Sequence, residues 1–227
     1  MPELLAAVAA LVASYVLGSI PFGLLLARFI GGVDPRRDGS GNVGATNVAR
    51  LIGKRWFPVV FFLDAAKGAA AVHLVTPLAG PDVHWLPLAR TACGGAAVAG
   101  HVFSVFLRFR GGKGVTTTAG VLAALAPLPL LGAVVVFVVT LTLSGFISLA
   151  SVLAAIAVPL LAWWWTAPSE LLWFSGTIAA LILIRHYTNL YRILRGLEPR
   201  LRAHRTPRSR GAARTDPPDA PGRGDHE

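Results

Sequence analysis

Charge is scarce in this sequence. Of 227 residues, 14% are Asp, Glu, Lys or Arg and 54% are hydrophobic, whereas a soluble domain carries about a quarter charged residues. That excludes an ordinary water-soluble enzyme. From Val115 to Thr166 there is no charged side chain in 52 positions. As one straight helix this stretch would run about 78 Å, against about 30 Å of membrane hydrocarbon, so it must cross more than once. Cysteine is nearly absent too. Cys93 stands alone, which excludes a disulfide framework and a cysteine-based metal site. The opening Met1-Pro2-Glu3 lacks the basic start of a cleavable signal peptide, so the first apolar run reads as a retained membrane helix. No internal repeat is evident.

The charges that are present sit in clusters. Residues 31–55 carry Arg36, Arg37, Arg50, Lys54 and Arg55, residues 108–114 carry Arg108, Arg110 and Lys113, and the chain beyond Ile184 is Arg-rich. The 79–85 and 166–170 turns hold only Asp82 and Glu170. Basic and acidic connections therefore alternate. The net charge of +10 reads as the positive-inside rule at work, not as a nucleic-acid surface. It puts the N-terminus outside and the C-terminus in the cytoplasm.

Apolar runs at Leu4–Ile30, Trp56–Leu78, about Leu86–Leu107 and Leu171–Tyr187 are the outer spans. The uncharged stretch between them starts inside and ends outside, so it crosses an odd number of times. Breaks at Pro127 and Pro129 and at Ser144-Gly145 favour three crossings there. The expected architecture is all-α: a polytopic integral membrane protein with seven transmembrane helices, or five as the alternative. Residues 1–198 form the membrane domain. Residues 199–227, rich in Arg, Pro, Gly and Asp, read as a disordered basic tail. The cluster Trp163-Trp164-Trp165 suits an outer aromatic belt.

Three polar islands fall on the cytoplasmic side. The first runs Asp38-Gly39-Ser40-Gly41-Asn42-Val43-Gly44-Ala45-Thr46-Asn47 and continues to Arg50. Gly39, Gly41 and Gly44 spell G-x-G-x-x-G, but a dinucleotide fold needs a preceding strand in a βαβ unit. Membrane-length apolar runs flank this motif instead. What remains is a turn whose backbone N–H, hydroxyl, amide and guanidinium groups suit phosphate.

The second island is His101 followed by Arg110-Gly111-Gly112-Lys113-Gly114-Val115-Thr116-Thr117. It is a glycine loop opening an apolar helix beside a lysine, a second anion site. It is not a Walker A loop, because Leu107 stands where the first glycine belongs and Gly114 follows the lysine. The third island closes the last helix, where His186 and Asn189 share a face one turn apart and could position or deprotonate a hydroxyl. Asp64 and Lys67 lie one turn apart inside the second span, a structural ion pair. Arg90, early in the third span, fits the charge alternation poorly.

The three islands together resemble the acyl-phosphate-dependent glycerol-3-phosphate acyltransferases of bacteria, the PlsY family. Ser40-Gly41-Asn42-x-Gly44-Ala45-Thr46-Asn47-x-x-Arg50 with Asp64-x-x-Lys67-Gly68 is similar to its first signature. Gly100-His101-x-Phe103-Ser104 into Phe109-Arg110-Gly111-Gly112-Lys113-Gly114-Val115-x-Thr117 is similar to its second, and Arg185-His186-x-x-Asn189-x-x-Arg192-x-x-x-Gly196-x-Glu198 to its third.

The resemblance implies a seven-helix enzyme of the bacterial cell (inner) membrane, active at the cytoplasmic face. Its reaction moves a fatty acyl group from acyl phosphate to the sn-1 hydroxyl of glycerol 3-phosphate. The products are lysophosphatidic acid and phosphate, as phospholipid biosynthesis begins. No His in the sequence is followed by Asp five positions later, so the H-x4-D dyad of acyl-CoA-dependent enzymes is missing. By the same resemblance, Ser40, Asn42, Thr46, Asn47 and Arg50 bind glycerol 3-phosphate. His101, Gly111, Gly112, Lys113, Gly114 and Thr117 bind acyl phosphate. Ser40, Lys113, His186 and Asn189 are catalytic, and Asp64, Lys67 and Glu198 support the structure.

No cofactor and no metal are expected. The partners are the two substrates, membrane lipid and the soluble enzyme that makes acyl phosphate, with no nucleic acid. Two other readings stay open: a secondary transporter of a phosphorylated metabolite and a non-catalytic membrane scaffold.

Overall fold

The structure is a computed structural model and describes residues 2–79 and 86–201. Asp82 and residues 202–227, most of the expected tail, lie outside the described residues. Helix α1 (Pro2–Ser19) breaks at Ile20-Pro21 and resumes as α2 (Phe22–Gly31). A short surface helix, α3 (Ala45–Ile52), precedes α4 (Phe57–Ala70), which continues through a wide turn and a tight turn to Ala79. Then follow α5 (Leu86–Val102), α6 (Val115–Leu125), α7 (Pro127–Ser144), α8 (Ile147–Trp164), α9 (Ser169–Arg185) and α10 (Tyr187–Leu194). Among the described residues there is no strand, so the G-x-G-x-x-G stretch has no βαβ unit around it.

The uncharged stretch forms three helices, broken before Pro127 and at Gly145, where φ is +76°. Among the described residues, four helical runs are long and apolar enough to cross a membrane: Glu3–Gly31, Lys54–Leu78, Pro127–Ser144 and Ile147–Trp164. A fifth is the pair α9 and α10, bent by 54° at His186. Helix α6 is short. Its 11 residues span about 16 Å. Helix α5 ends at Val102, earlier than the Leu107 read from hydropathy. The chain turns away there through Arg108 and Phe109, both with positive φ.

Close packing depends on glycine. A Cβ at Gly68 would collide with Thr117 O, and one at Gly120 with Ala65 O, so α4 and α6 touch backbone to backbone. Gly18 and Gly100 do the same for α1 and α5, against Ala97 O and Tyr15 O. Small residues at crossings are how helices associate where lipid removes the hydrophobic drive. The main buried cluster runs from Val98, Val102 and Val121 through Leu122 to Phe174, Ile178 and Ile182.

Arg90 finds its place here. Its Nη2 donates to Ala124 O (3.1 Å), an end-carbonyl of short α6 that has no helical partner because the chain breaks before Pro127. Residues 199–201 also depart from the tail reading. Leu201 N donates to Gly145 O (2.9 Å), and the Arg200 guanidinium lies 5.1 Å from the centre of the Phe146 ring. The start of that segment therefore packs on the α7–α8 turn.

Gly120→Val should lower the thermal midpoint in detergent by the equivalent of about 3 kcal/mol, the upper range for overpacking. Gly176→Ala, where nothing lies within 4 Å, should leave it unchanged.

Candidate active site

The three islands meet at one end of the bundle, and each is held by side chains that bond backbone carbonyls. In the first, Asn47 is 2% exposed and fully engaged inside its own loop. Its Oδ1 accepts from Ser40 N (2.8 Å), and its Nδ2 donates to Pro35 O, Asp38 O and Asn42 O (3.0, 3.0 and 2.9 Å). Its amide holds the loop and has no donor left for a ligand. Asn42 Oδ1 accepts from Gly44 N (2.8 Å) at the start of α3. Ser40 and Arg50 are exposed, and Thr46 is half-buried. Thr46 and Arg50 stand four apart on α3 and so share a face.

In the second island the glycines serve a different purpose from the one expected of them. Gly111 N donates to Val102 O and Gly112 N to His101 O, both at 3.0 Å. These two N–H groups close the end of α5 and do not face a ligand. Side chains are excluded at both positions: a Cβ on Gly111 would strike His101 O, and one on Gly112 would strike His101 Nε2. Arg185 Nη2 donates to Gly111 O (3.1 Å) and Gly112 O (3.2 Å), clamping the loop from α9. The free donors of this island therefore begin at Lys113 and the first turn of α6, whose N–H groups have no helical acceptor. Thr117 is buried in that turn, and His101 is buried beneath the loop.

The third island supplies the polar centre. Lys113 Nζ donates to Asn189 Oδ1. Asn189 Nδ2 in turn donates to Glu198 Oε1 (2.7 Å). Ser148 Oγ donates to the same oxygen (2.9 Å), and Arg192 Nε to Oε2 (2.8 Å). Burial pushes the Glu198 carboxyl upward, but the bonds from Asn189, Arg192 and Ser148 outweigh it and hold the group below its ordinary value. An ionised Glu198 thus fixes which way the Asn189 amide points.

His186 is 3% exposed, and its Nδ1 lies 2.8 Å from Ile182 O. A carbonyl only accepts, so Nδ1 carries the hydrogen and Nε2 keeps a free lone pair. Burial pulls the Lys113 ammonium down to about 8. The charge of Glu198 opposes this, while those of Arg192, Arg185 and Arg50 add to it. Arg50, from the first island, is thus close enough to act on Lys113 from the second.

The ion pair Lys67–Asp64 (2.8 Å) lies deeper. Lys67 Nζ also donates to Ile20 O (2.9 Å), and Ser104 Oγ to Ser19 O (2.6 Å), so both carbonyls at the α1–α2 break have partners. Sequence reasoning did not assign roles to Arg185, Arg192, Ser104 or Ser148. The first three lie inside the quoted motifs, which could have flagged them. Ser148, inside an uncharged run, gave no signal. Among the described residues no group of three His, Cys, Asp or Glu could hold a metal ion.

The sequence matches the family model for glycerol-3-phosphate acyltransferase over residues 8–196. The chain belongs to this family. It is similar to the glycerol-3-phosphate acyltransferases of Trichlorobacter lovleyi (43% identical over 192 residues, 84% of this chain and 95% of the relative) and Geotalea daltonii (44% over 188 residues, 83% and 94%). Its fold is similar to the crystal structure of PlsY (YgiH), an integral membrane glycerol 3-phosphate acyltransferase, in its glycerol 3-phosphate form. The TM-score is 0.79 at 38% identity, covering 86% of this chain and 94% of the other. The lysophosphatidic acid form of the same enzyme gives 0.77. Membership makes the chain an integral membrane acyltransferase and explains why its polar residues concentrate in three loops.

Two outcomes follow from the geometry. Asn47→Ala should destabilise the protein by on the order of 3 kcal/mol, since several buried loop groups lose their partner at once, read as a fall in thermal midpoint. The kcat/KM profile should fall on an alkaline limb near pH 8 as Lys113 loses its proton. Lys113→Arg, which stays charged, should shift that limb upward wherever it retains activity.

Proposed function

We propose that this site transfers a fatty acyl group from acyl phosphate to the sn-1 hydroxyl of glycerol 3-phosphate, releasing lysophosphatidic acid and inorganic phosphate. The observation that carries this reading is the chain Glu198–Asn189–Lys113 beside a histidine whose Nε2 is free, with Arg50, Arg185 and Arg192 around it. One carboxylate among so many cations suits two phosphorylated substrates.

Arg50, with Ser40, Asn42 and Thr46, holds the phosphate of the acceptor. Lys113 and the first turn of α6 hold the acyl phosphate. The acceptor hydroxyl oxygen attacks the acyl carbonyl carbon, the carbon–oxygen bond to phosphate breaks, and phosphate leaves with the electron pair. The hydroxyl proton passes to His186 Nε2 and from there to the departing phosphate. Acyl phosphate is already activated, so transfer is direct, and the protein contributes positioning and charge neutralisation. Asn47, Gly111, Gly112 and His101 shape the loops that present these groups.

The chain crosses the bacterial cell membrane seven times. Its N-terminus is outside and the site is at the cytoplasmic face, where a soluble enzyme would deliver acyl phosphate. The charge alternation of the loops supports that orientation.

Purified protein given palmitoyl phosphate and labelled glycerol 3-phosphate should form lysophosphatidic acid, and palmitoyl-CoA should give none. Uptake into vesicles without acyl transfer would favour a transporter instead. Lys113→Ala should lower kcat/KM by about 10³-fold and His186→Ala by about 10²- to 10⁴-fold, with membrane insertion unchanged. An acyl ester trapped on Ser40 would overturn direct transfer.

A further inference from the structure

His101 lies outside the polar centre, yet its two ring nitrogens face the two halves of the site's support. Nδ1 lies 3.6 Å from Asp64 Oδ1, the oxygen that also takes Lys67 Nζ at 2.8 Å. Nε2 faces Gly112 so closely that any Cβ there would collide with it. The backbone is joined as well, because Gly112 N donates to His101 O (3.0 Å). His101 is 6% exposed and Asp64 2%, and with Lys67 and Ser104 both line a small cavity beside the α1–α2 break. Gly112 is followed directly by Lys113, whose Nζ must reach Asn189.

We propose that His101 is a positioning residue: seated on the Lys67–Asp64 pair, its imidazole is the floor on which Gly112 rests, and the height of that floor sets where Lys113 meets its phosphate. Two clamps then act on one loop. Arg185 holds the carbonyls of Gly111 and Gly112 from the α9 side, and His101 bears on the α-carbon of Gly112 from the α5 side. The Lys67–Asp64 pair is joined in turn to the α1–α2 break through Lys67 and Ile20 O. The catalytic loop is thereby referenced to the first span as well as to the last. A residue that supports the loop affects turnover more than substrate binding, because a lysine misplaced by about 1 Å still attracts an anion but stabilises the transition state poorly.

The inference rests on the acyl-transfer reading, and a double-mutant cycle tests it. The four proteins are wild type, His101→Ala, Gly112→Ala and the double variant, each assayed with palmitoyl phosphate and glycerol 3-phosphate alongside thermal unfolding in detergent. Each single change should lower kcat by about 50-fold and move either KM by less than about threefold. The double variant should be no worse than the weaker single by more than about threefold, since removing the ring clears the space that the methyl group added by Gly112→Ala needs. The alkaline limb set by Lys113, whose neighbours are Glu198, Arg192, Arg185 and Arg50, should move in His101→Ala. A bundle that was merely less stable would lose active protein without moving that limb.

His101→Gln, which keeps a side chain reaching toward Gly112, should retain more activity than His101→Ala. Multiplicative losses in the double variant, or an unmoved limb, would overturn the proposal. So would a rise in KM for palmitoyl phosphate at unchanged kcat, which would make His101 a substrate ligand. If neither His101 variant yields folded protein, its role is bundle stability and the proposal also fails. A wild type inactive toward palmitoyl phosphate would instead overturn the acyl-transfer reading itself.

Discussion

A backbone carbonyl freed inside a membrane has no water to turn to, and every helix break in this bundle has to answer that. An unsatisfied carbonyl in hydrocarbon costs several kcal/mol. The sequence meets the demand with side chains that lie far away along the chain. Ile20 O receives Lys67, Ser19 O receives Ser104, Ala124 O receives Arg90, and Gly111 O and Gly112 O receive Arg185. Breaks are what create loops near a membrane surface, and loops are what an enzyme needs for polar chemistry. The bonds from Arg185 that make one such break tolerable also fix the loop that carries Lys113.

The electrostatics follow from the same economy of charge. Arg50, Arg185 and Arg192 act on Lys113, and Glu198 is the carboxylate among the charges that influence it. Burial lowers the Lys113 ammonium most, Glu198 opposes it, and the charges of Arg192, Arg185 and Arg50 add to the lowering. Under the proposed reaction, two phosphate-bearing substrates would lessen the repulsion among these cations.

Much of the architecture was legible in the composition. The three helices within Val115–Trp164 follow from the missing charges together with Pro127 and Gly145, which allow no continuous helix. The family resemblance put Lys113 and Asn189 in one set of site residues, and the two are hydrogen-bonded. Less legible was the direction in which polar groups point. Residue type marks Gly111, Gly112 and Asn47 as suited to phosphate, but type does not say whether an amide faces a ligand or its own loop. In each of these three it faces inward. Arg90 looked misplaced because the break at Pro127 does not by itself say which side chain reaches the carbonyl it frees at Ala124. Ser148 was silent, since a serine in an apolar helix usually bonds within its own turn.

The imidazole of His186 is tied at one nitrogen to the carbonyl of Ile182, within the last turn of the helix that carries it. A ring anchored in this way offers the rest of the site one nitrogen alone. If His186 takes the hydrogen ion of the incoming alcohol, as proposed, that same atom must give it up before the next cycle, and the departing phosphate is the carrier at hand.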